Sequence, residues 1–206
     1  MVSKVNNSRI IVSLDFADAE SALKLIDKLD AEKCRLKVGK ELFTSVGPQF
    51  VEKLVMRGFD VFLDLKYHDI PNTVARACSA AAELGVWMLN VHASGGREML
   101  TRARQAIDES SNKPLLIAVT VLTSLSSEDL LEIGFKQSVD EQVRRLASLS
   151  QSTGLDGIVC SAREAASMRE NLGSNFKLIT PGIRLTNDSR DDQKRIMTLA
   201  KAISAG

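Results

Sequence analysis

Between Gly58 and Val74 the chain reads "GFDVFLDLKYHDIPNTV". The run Val61–Leu65 is mostly apolar, as expected of a strand covered on both faces. It closes in charge: Asp64, Lys66, His68 and Asp69 follow one another within a few residues. Burying ions costs several kcal/mol each unless they are paired or solvated, so the cluster is tolerated for a structural or a chemical reason. In extended backbone, residues two apart point the same way. Asp64 and Lys66 therefore share one face, and Leu63 and Leu65 share the other. Asp69 lies off the strand, in the turn before "PNTVARACSAAAELG".

The same unit recurs along the chain without repeating in sequence. Short apolar runs read as strands at Ile10–Leu14, Arg35–Val38, Val61–Leu65, Val86–Val91, Leu115–Val121, Gly157–Cys160 and Lys177–Thr180. Between them the period becomes helical. Ala22, Leu25, Ile26 and Leu29 share a face, as do Phe50, Val51, Leu54 and Val55 behind a first-turn Pro48. Val74, Ala77, Cys78 and Ala81 precede Gly85, which is placed to end their helix. Leu100, Ala103 and Ile107 follow, then Val139, Val143, Leu146 and Ala147, then Ala165, Met168 and Leu172. The longest connection, "TSLSSEDLLEIGFKQS", carries a short helical pattern and is a candidate active-site loop.

No linker or low-complexity tract divides the 206 residues. Successive βα units predict a parallel sheet, either rolled into a barrel or open and doubly wound. Polar residues decide between them. Asp15, Lys37, Asp64 with Lys66, Asn90 with His92, Thr120 with Thr123, Ser161 and Arg184 lie at or just beyond the strand carboxyl ends. A barrel gathers all its strand ends at one mouth, whereas an open sheet concentrates such groups at its switch point. The expected fold is thus an α/β (β/α)8 TIM barrel. Only seven units are visible, and an eighth needs about 30 more residues. The expectation is that residues 1–206 form a single (β/α) barrel domain that is C-terminally incomplete, lacking the eighth βα unit.

Composition narrows the partners. With 27 Lys+Arg against 26 Asp+Glu, the net charge of +1 calls for neither nucleic acid nor an anionic membrane. No apolar stretch approaches a membrane span, and the opening "MVSKVNNSRIIVSLD" carries no signal-peptide pattern. Cys34, Cys78 and Cys160 lack metal or redox spacing and read as reduced thiols of a cytoplasmic protein. Two histidines, His68 and His92, exclude a site built on several imidazoles. No GxGxxG or Walker loop supports a nucleotide cofactor.

The plain reading of Asp64 and Lys66 is a structural ion pair, with Asp69 capping the next helix. Asp15 and Lys37 at neighbouring strand ends weigh against it, because they extend an alternating array of charge at the mouth. "HASGGRE" could offer N–H groups to an anion but reads more simply as a turn. His92 reads as a hydrogen-bonded structural histidine, and His68 as a support to the cluster. "TPGIR" delivers Arg184 from a Pro-Gly turn, in a form suited to phosphate.

These segments resemble the orotidine 5'-phosphate decarboxylase family. The likeness runs from "VSLD" through "RLKVGKELF", "GFDVFLDLKYHDIPNTV", "GVWMLNVHASGG", "PLLIAVTVLTS", "GLDGIVCSA" and "KLITPGIR". The Asp-x-Lys-x-x-Asp core is shared with sister enzymes acting on sugar phosphates; "HDIPNT", "TPGIR" and Gln193 point to the orotidine branch. The resemblance implies a homodimer that converts orotidine 5'-monophosphate to uridine 5'-monophosphate without metal or organic cofactor. It implies that Lys66 protonates the pyrimidine carbon, with Asp64 beside the substrate carboxylate. Asp69, with Ile70 and Thr73, would enter the partner's active site. Asp15 and Lys37 would hold the ribose, Lys37 also completing the catalytic charged array with Lys66, Asp64 and Asp69, while Thr123 and Pro181 would hold the pyrimidine, and Arg184 and Gln193 the phosphate. Two alternatives remain at this stage: a metal-dependent sugar-phosphate decarboxylase or synthase of the same superfamily, and a truncated, non-catalytic barrel that binds nucleotide phosphates.

Overall fold

A computed structural model describes residues 8–184 and 197–204. In chain order the elements are β1 (Ile11–Ser13), α1 (Ala19–Ile26), β2 (Arg35–Gly39), α2 (Lys40–Val46), α3 (Pro48–Met56), β3 (Val61–Tyr67), α4 (Pro71–Glu83) and β4 (Met88–His92). They continue with α5 (Gly96–Glu109), β5 (Leu115–Val119), α6 (Ser127–Glu132), α7 (Val139–Ser152), β6 (Gly157–Val159), α8 (Ala165–Leu172) and β7 (Lys177–Ile179). Last come β8 (Ile183–Arg184), β9 (Met197–Thr198) and α9 (Leu199–Ser204).

All seven expected strands form, and they pair in parallel in the order β1-β2-β3-β4-β5-β6-β7. A doubly wound sheet reverses its strand order at the switch point. Here the order never reverses, so successive helices fall on the same side and the sheet is the curled wall of a (β/α) barrel. The short parallel pair β8–β9 stands apart from it.

Strand parity then sorts the side chains. Leu36, Val38, Val61, Leu63, Leu89, Val91, Leu116, Ala118 and Ile158 belong to the large cluster packed with helix residues such as Ile26, Leu54, Val74, Leu100 and Val143. Leu65 packs against the same layer, as alternation predicts. Phe62, Met88 and Ile117 point to the other side, where Ile11, Trp87, Leu115, Val159 and Ile179 join them as the lumen filling. Each fully buried Leu or Ile of this kind contributes about 1.5–3 kcal/mol. At the amino-terminal end of the lumen the Arg35 guanidinium stacks on Trp87 at 4.1 Å and pairs with Asp60 at 3.1 Å. The floor is thereby packed, and polar groups collect at the opposite end.

Local chemistry explains the helix limits. Asp18 caps α1 by accepting from Ser21 N–H, while Ser126 with Asp129 and Ser138 with Glu141 form capping boxes on α6 and α7. Gly85, at φ 74°, follows the last turn of α4, in the left-handed conformation that glycine adopts without Cβ strain. The helix α2 was not foreseen, because among its residues only Leu42 is buried and no apolar stripe marks it. β1 and β5 are shorter than the apolar runs that predict them, and β4 begins two residues later, at Met88.

One glycine is needed for space. A Cβ at Gly157 would lie 2.4 Å from the Lys177 carbonyl oxygen and 2.7 Å from Lys177 Cβ on β7. Gly157→Ala should push β6 and β7 apart and destabilise the fold by about 1–3 kcal/mol. Urea denaturation followed by circular dichroism would measure this as a lower midpoint with unchanged slope.

Candidate active site

Asp15, just past β1, Lys37 on β2, and Asp64 with Lys66 on β3 converge at the carboxyl-terminal mouth. The Lys66 ammonium donates to Asp64 Oδ1 at 2.6 Å, and Lys37 Nζ lies 3.6 Å from Asp64 Oδ2 and 3.2 Å from Asp15 Oδ1. Acid and base alternate along Asp15, Lys37, Asp64 and Lys66. The array faces a cavity of about 200 Å³ that Leu14 and Gly39 also line. The Asp64 side chain is 12% exposed, against 70% for Asp15. Burial by itself would raise the Asp64 pKa. The Lys66 charge and hydrogen bond, the Asn90 amide and the Lys37 charge together outweigh it, so the carboxyl sits below its usual range and stays ionised.

Lys66 reaches this position by a route that alternation did not predict. Leu63 pairs with Leu89 and Tyr67 with Val91, so four residue steps on β3 oppose two on β4. The strand bulges there. Lys66 has φ 52° and is the one non-glycine residue with positive φ among the described residues. Such a conformation costs about 1–2 kcal/mol. Asn90 meets the displaced backbone: its Oδ1 accepts from Lys66 N–H at 2.7 Å, and its Nδ2 donates to Asp64 Oδ1 at 2.7 Å. Asn90 is fully buried. Sequence reasoning placed it at a strand end without giving it a role; the sole signal was an amide inside an apolar run.

The other expected residues are not drawn into this cluster within one chain. Asp69 and Ile70 on the β3–α4 turn and Thr73 in the first turn of α4 are exposed, Ile70 at 67%. Asp69 Oδ1 accepts from Ile70 N–H at 2.6 Å, and α4 has no side-chain cap bond, so the capping explanation for Asp69 fails. Thr123 is buried in the connection after β5, and Pro181 is half-buried just beyond β7. Arg184 lies on β8; Gln193 is outside the described residues.

The rings of His68 and His92 meet at a tilt of 34°, with centroids 5.4 Å apart. Burial first, then the charges of His68, Lys40 and Lys66, push the His92 pKa down to about 4 against a weaker opposing pull from Asp64. His92 is therefore neutral when folded at neutral pH. Unfolded, it takes up a proton near its ordinary 6.5. Between those values the unfolded state binds more protons, so stability falls as pH drops from about 6.5 to about 4. His92→Gln should flatten that part of the curve, which denaturant midpoints measured across the window would show.

Fold and site together define a (β/α)-barrel enzyme with a charged Asp–Lys array at its mouth. The sequence model described as the orotidine 5'-phosphate decarboxylase / HUMPS family matches residues 8–206. The orotidine 5'-phosphate decarboxylase of Chromobacterium violaceum is 60% identical over 199 residues, 97% of this chain and 81% of that protein. That of Nitrosomonas eutropha is 61% identical over 202 residues, 98% of this chain and 87% of the relative. A crystal structure of orotidine 5'-phosphate decarboxylase from Lactobacillus acidophilus superposes with a TM-score of 0.85 at 36% identity, covering 97% of this chain and 87% of that one. The chain belongs to the orotidine 5'-phosphate decarboxylase / HUMPS family.

Proposed function

We propose that the chain decarboxylates orotidine 5'-monophosphate to uridine 5'-monophosphate, the carboxy-lyase step of de novo pyrimidine biosynthesis, with Lys66 as proton donor. The observation that carries the roles is the Lys66 ammonium held 2.6 Å from a buried Asp64 at the rim of the mouth cavity. When the bond from the ring carbon to the carboxylate breaks, its electron pair stays in the ring plane, outside the π system. The protein must meet that charge with a fixed positive group in a preorganised site. Lys66 supplies the charge and then the proton, and is itself reprotonated from solvent. Asp64 keeps the ammonium charged and oriented, and sits where the substrate carboxylate is lost.

Asp15 and Lys37 take the ribose hydroxyls, Thr123 and Pro181 the pyrimidine, and Arg184 and Gln193 the phosphate. A metal-dependent reading fits less well, since both Asp64 oxygens already face ammonium groups that would repel a divalent cation. The outward Asp69 beside a 67%-exposed Ile70 supports a homodimer in which Asp69, Ile70 and Thr73 complete the partner's site. Cys34, Cys78 and Cys160, buried and outside any disulfide, support a cytoplasmic setting. Among the described residues, no helix is long and apolar enough to cross a membrane.

Absorbance loss on adding orotidine 5'-monophosphate tests the activity; no loss with folded protein overturns it. Lys66→Ala should lower kcat by about 10⁴-fold or more while uridine 5'-monophosphate still binds. Mixing Lys66→Ala with Asp69→Ala protein tests the shared site, because each mixed dimer would regain one intact site. About a quarter of wild-type activity should return after subunit exchange, and no recovery would place Asp69 outside its partner's site.

A further inference from the structure

We propose that Asn90 is the positioning residue that sets Lys66: its carboxamide holds the bulged β3 backbone with one atom and the Asp64 carboxylate with the other. The assignment rests on the decarboxylase reading for its kinetic consequences, and on geometry alone for its structural ones. A regular β3 would keep pairing residue by residue with β4 beyond Leu63. Instead, two extra residues are taken up before Tyr67 meets Val91, and Lys66 enters the left-handed region. A strand amide in that position loses its ladder partner. Left unsatisfied in a partly buried place, it would cost the bulge its stability. Asn90 Oδ1 takes that N–H at 2.7 Å. The other end of the same amide donates to the oxygen of Asp64 that also receives the Lys66 ammonium.

One fully buried side chain from β4 thus fixes both ends of the Lys66 residue, the backbone directly and the ammonium through its acid. An amide is needed for this. Apolar residues of similar size make neither bond, and an ionised carboxylate cannot donate to Asp64. The charged and titratable groups around Asp64 are Lys66 on β3, Lys37 on β2 with Asp15 behind it, and His92 on β4. The Asn90 carboxamide does not titrate, so it can hold the carboxylate without adding charge at any pH.

The experiment compares wild type, Asn90→Ala and Asn90→Asp in decarboxylation of orotidine 5'-monophosphate across pH, with uridine 5'-monophosphate binding and a crystal structure of Asn90→Ala. The alanine variant should lose about 100-fold in kcat, the scale of a misplaced catalytic group, while KM and nucleotide binding stay within about threefold. Its acid limb should move to higher pH, because Asp64 has lost a donor that favoured its charged form. Asn90→Asp keeps the acceptor for Lys66 N–H and can donate only when protonated, so its kcat should rise as pH is lowered, opposite in sense to wild type. A kcat within about threefold of wild type, or a loss with an unmoved acid limb, overturns the assignment. Should Asn90→Ala not fold, Asn90→Asp, of nearly the same volume, carries the decision through its pH profile. If wild type itself proves inactive, the decarboxylase reading fails separately. The alanine structure then decides: a Lys66 that keeps its left-handed φ and its contact with Asp64 overturns the proposal, and a relaxed strand supports it.

Discussion

A carboxylate sunk into the end of a barrel would ordinarily take up a proton to escape the loss of hydration. Asp64 stays charged because two ammonium groups and an amide converge on it. The arrangement is mutual, since Lys66 and Lys37 would be equally costly to hold there without the acid. Removing one partner from such a buried set strands the others and typically costs about 3–5 kcal/mol, whereas replacing the whole set by apolar residues is often neutral or stabilising. Stability is thus a poor reason for charge at this strand end. The chemistry proposed for the cluster supplies a better one.

The fold divides its tasks along the barrel axis. The floor is apolar and stacked, with Arg35 on Trp87 and then Phe62, Met88 and Ile117 filling the lumen above. The outer layer binds the sheet to its helices largely through residues away from the mouth, Leu14 and Leu42 being shared with its cavity. The lysines therefore stand on strands whose positions are set independently of them, and only the last residues of β3 depart from regular geometry. Left-handed backbone at a single lysine is a local strain, maintained by its neighbours on β4.

The strands were legible because each is a short apolar run bounded by polar turns, and parity along β2 and β3 placed Lys37 and Asp64 in the lumen without further information. The helix α2 was not, since one buried leucine makes no stripe. The bulge was also hidden, for a different reason. It is fixed by Asn90, which lies 24 residues from Lys66 in the chain, and no local pattern encodes a hydrogen bond between strands. Simple alternation put Asp64 and Lys66 together, and they are together, yet through a turn of backbone that alternation does not contain. Asp69, Ile70 and Thr73 could be chosen by motif but not located, because a single chain leaves them facing outward.

A ladder that sets four residue steps against two has a consequence for how this segment tolerates change in length. Shortening β3 by one residue between Leu63 and Tyr67 would reverse the parity of everything after it, sending an amine toward the helices and a tyrosine into the lumen. Lengthening it by one would do the same from the other side. The distance in sequence from the aspartate to the lysine is therefore as much a part of the charged array as the two side chains, and insertions or deletions there should be excluded even where point substitutions are admitted.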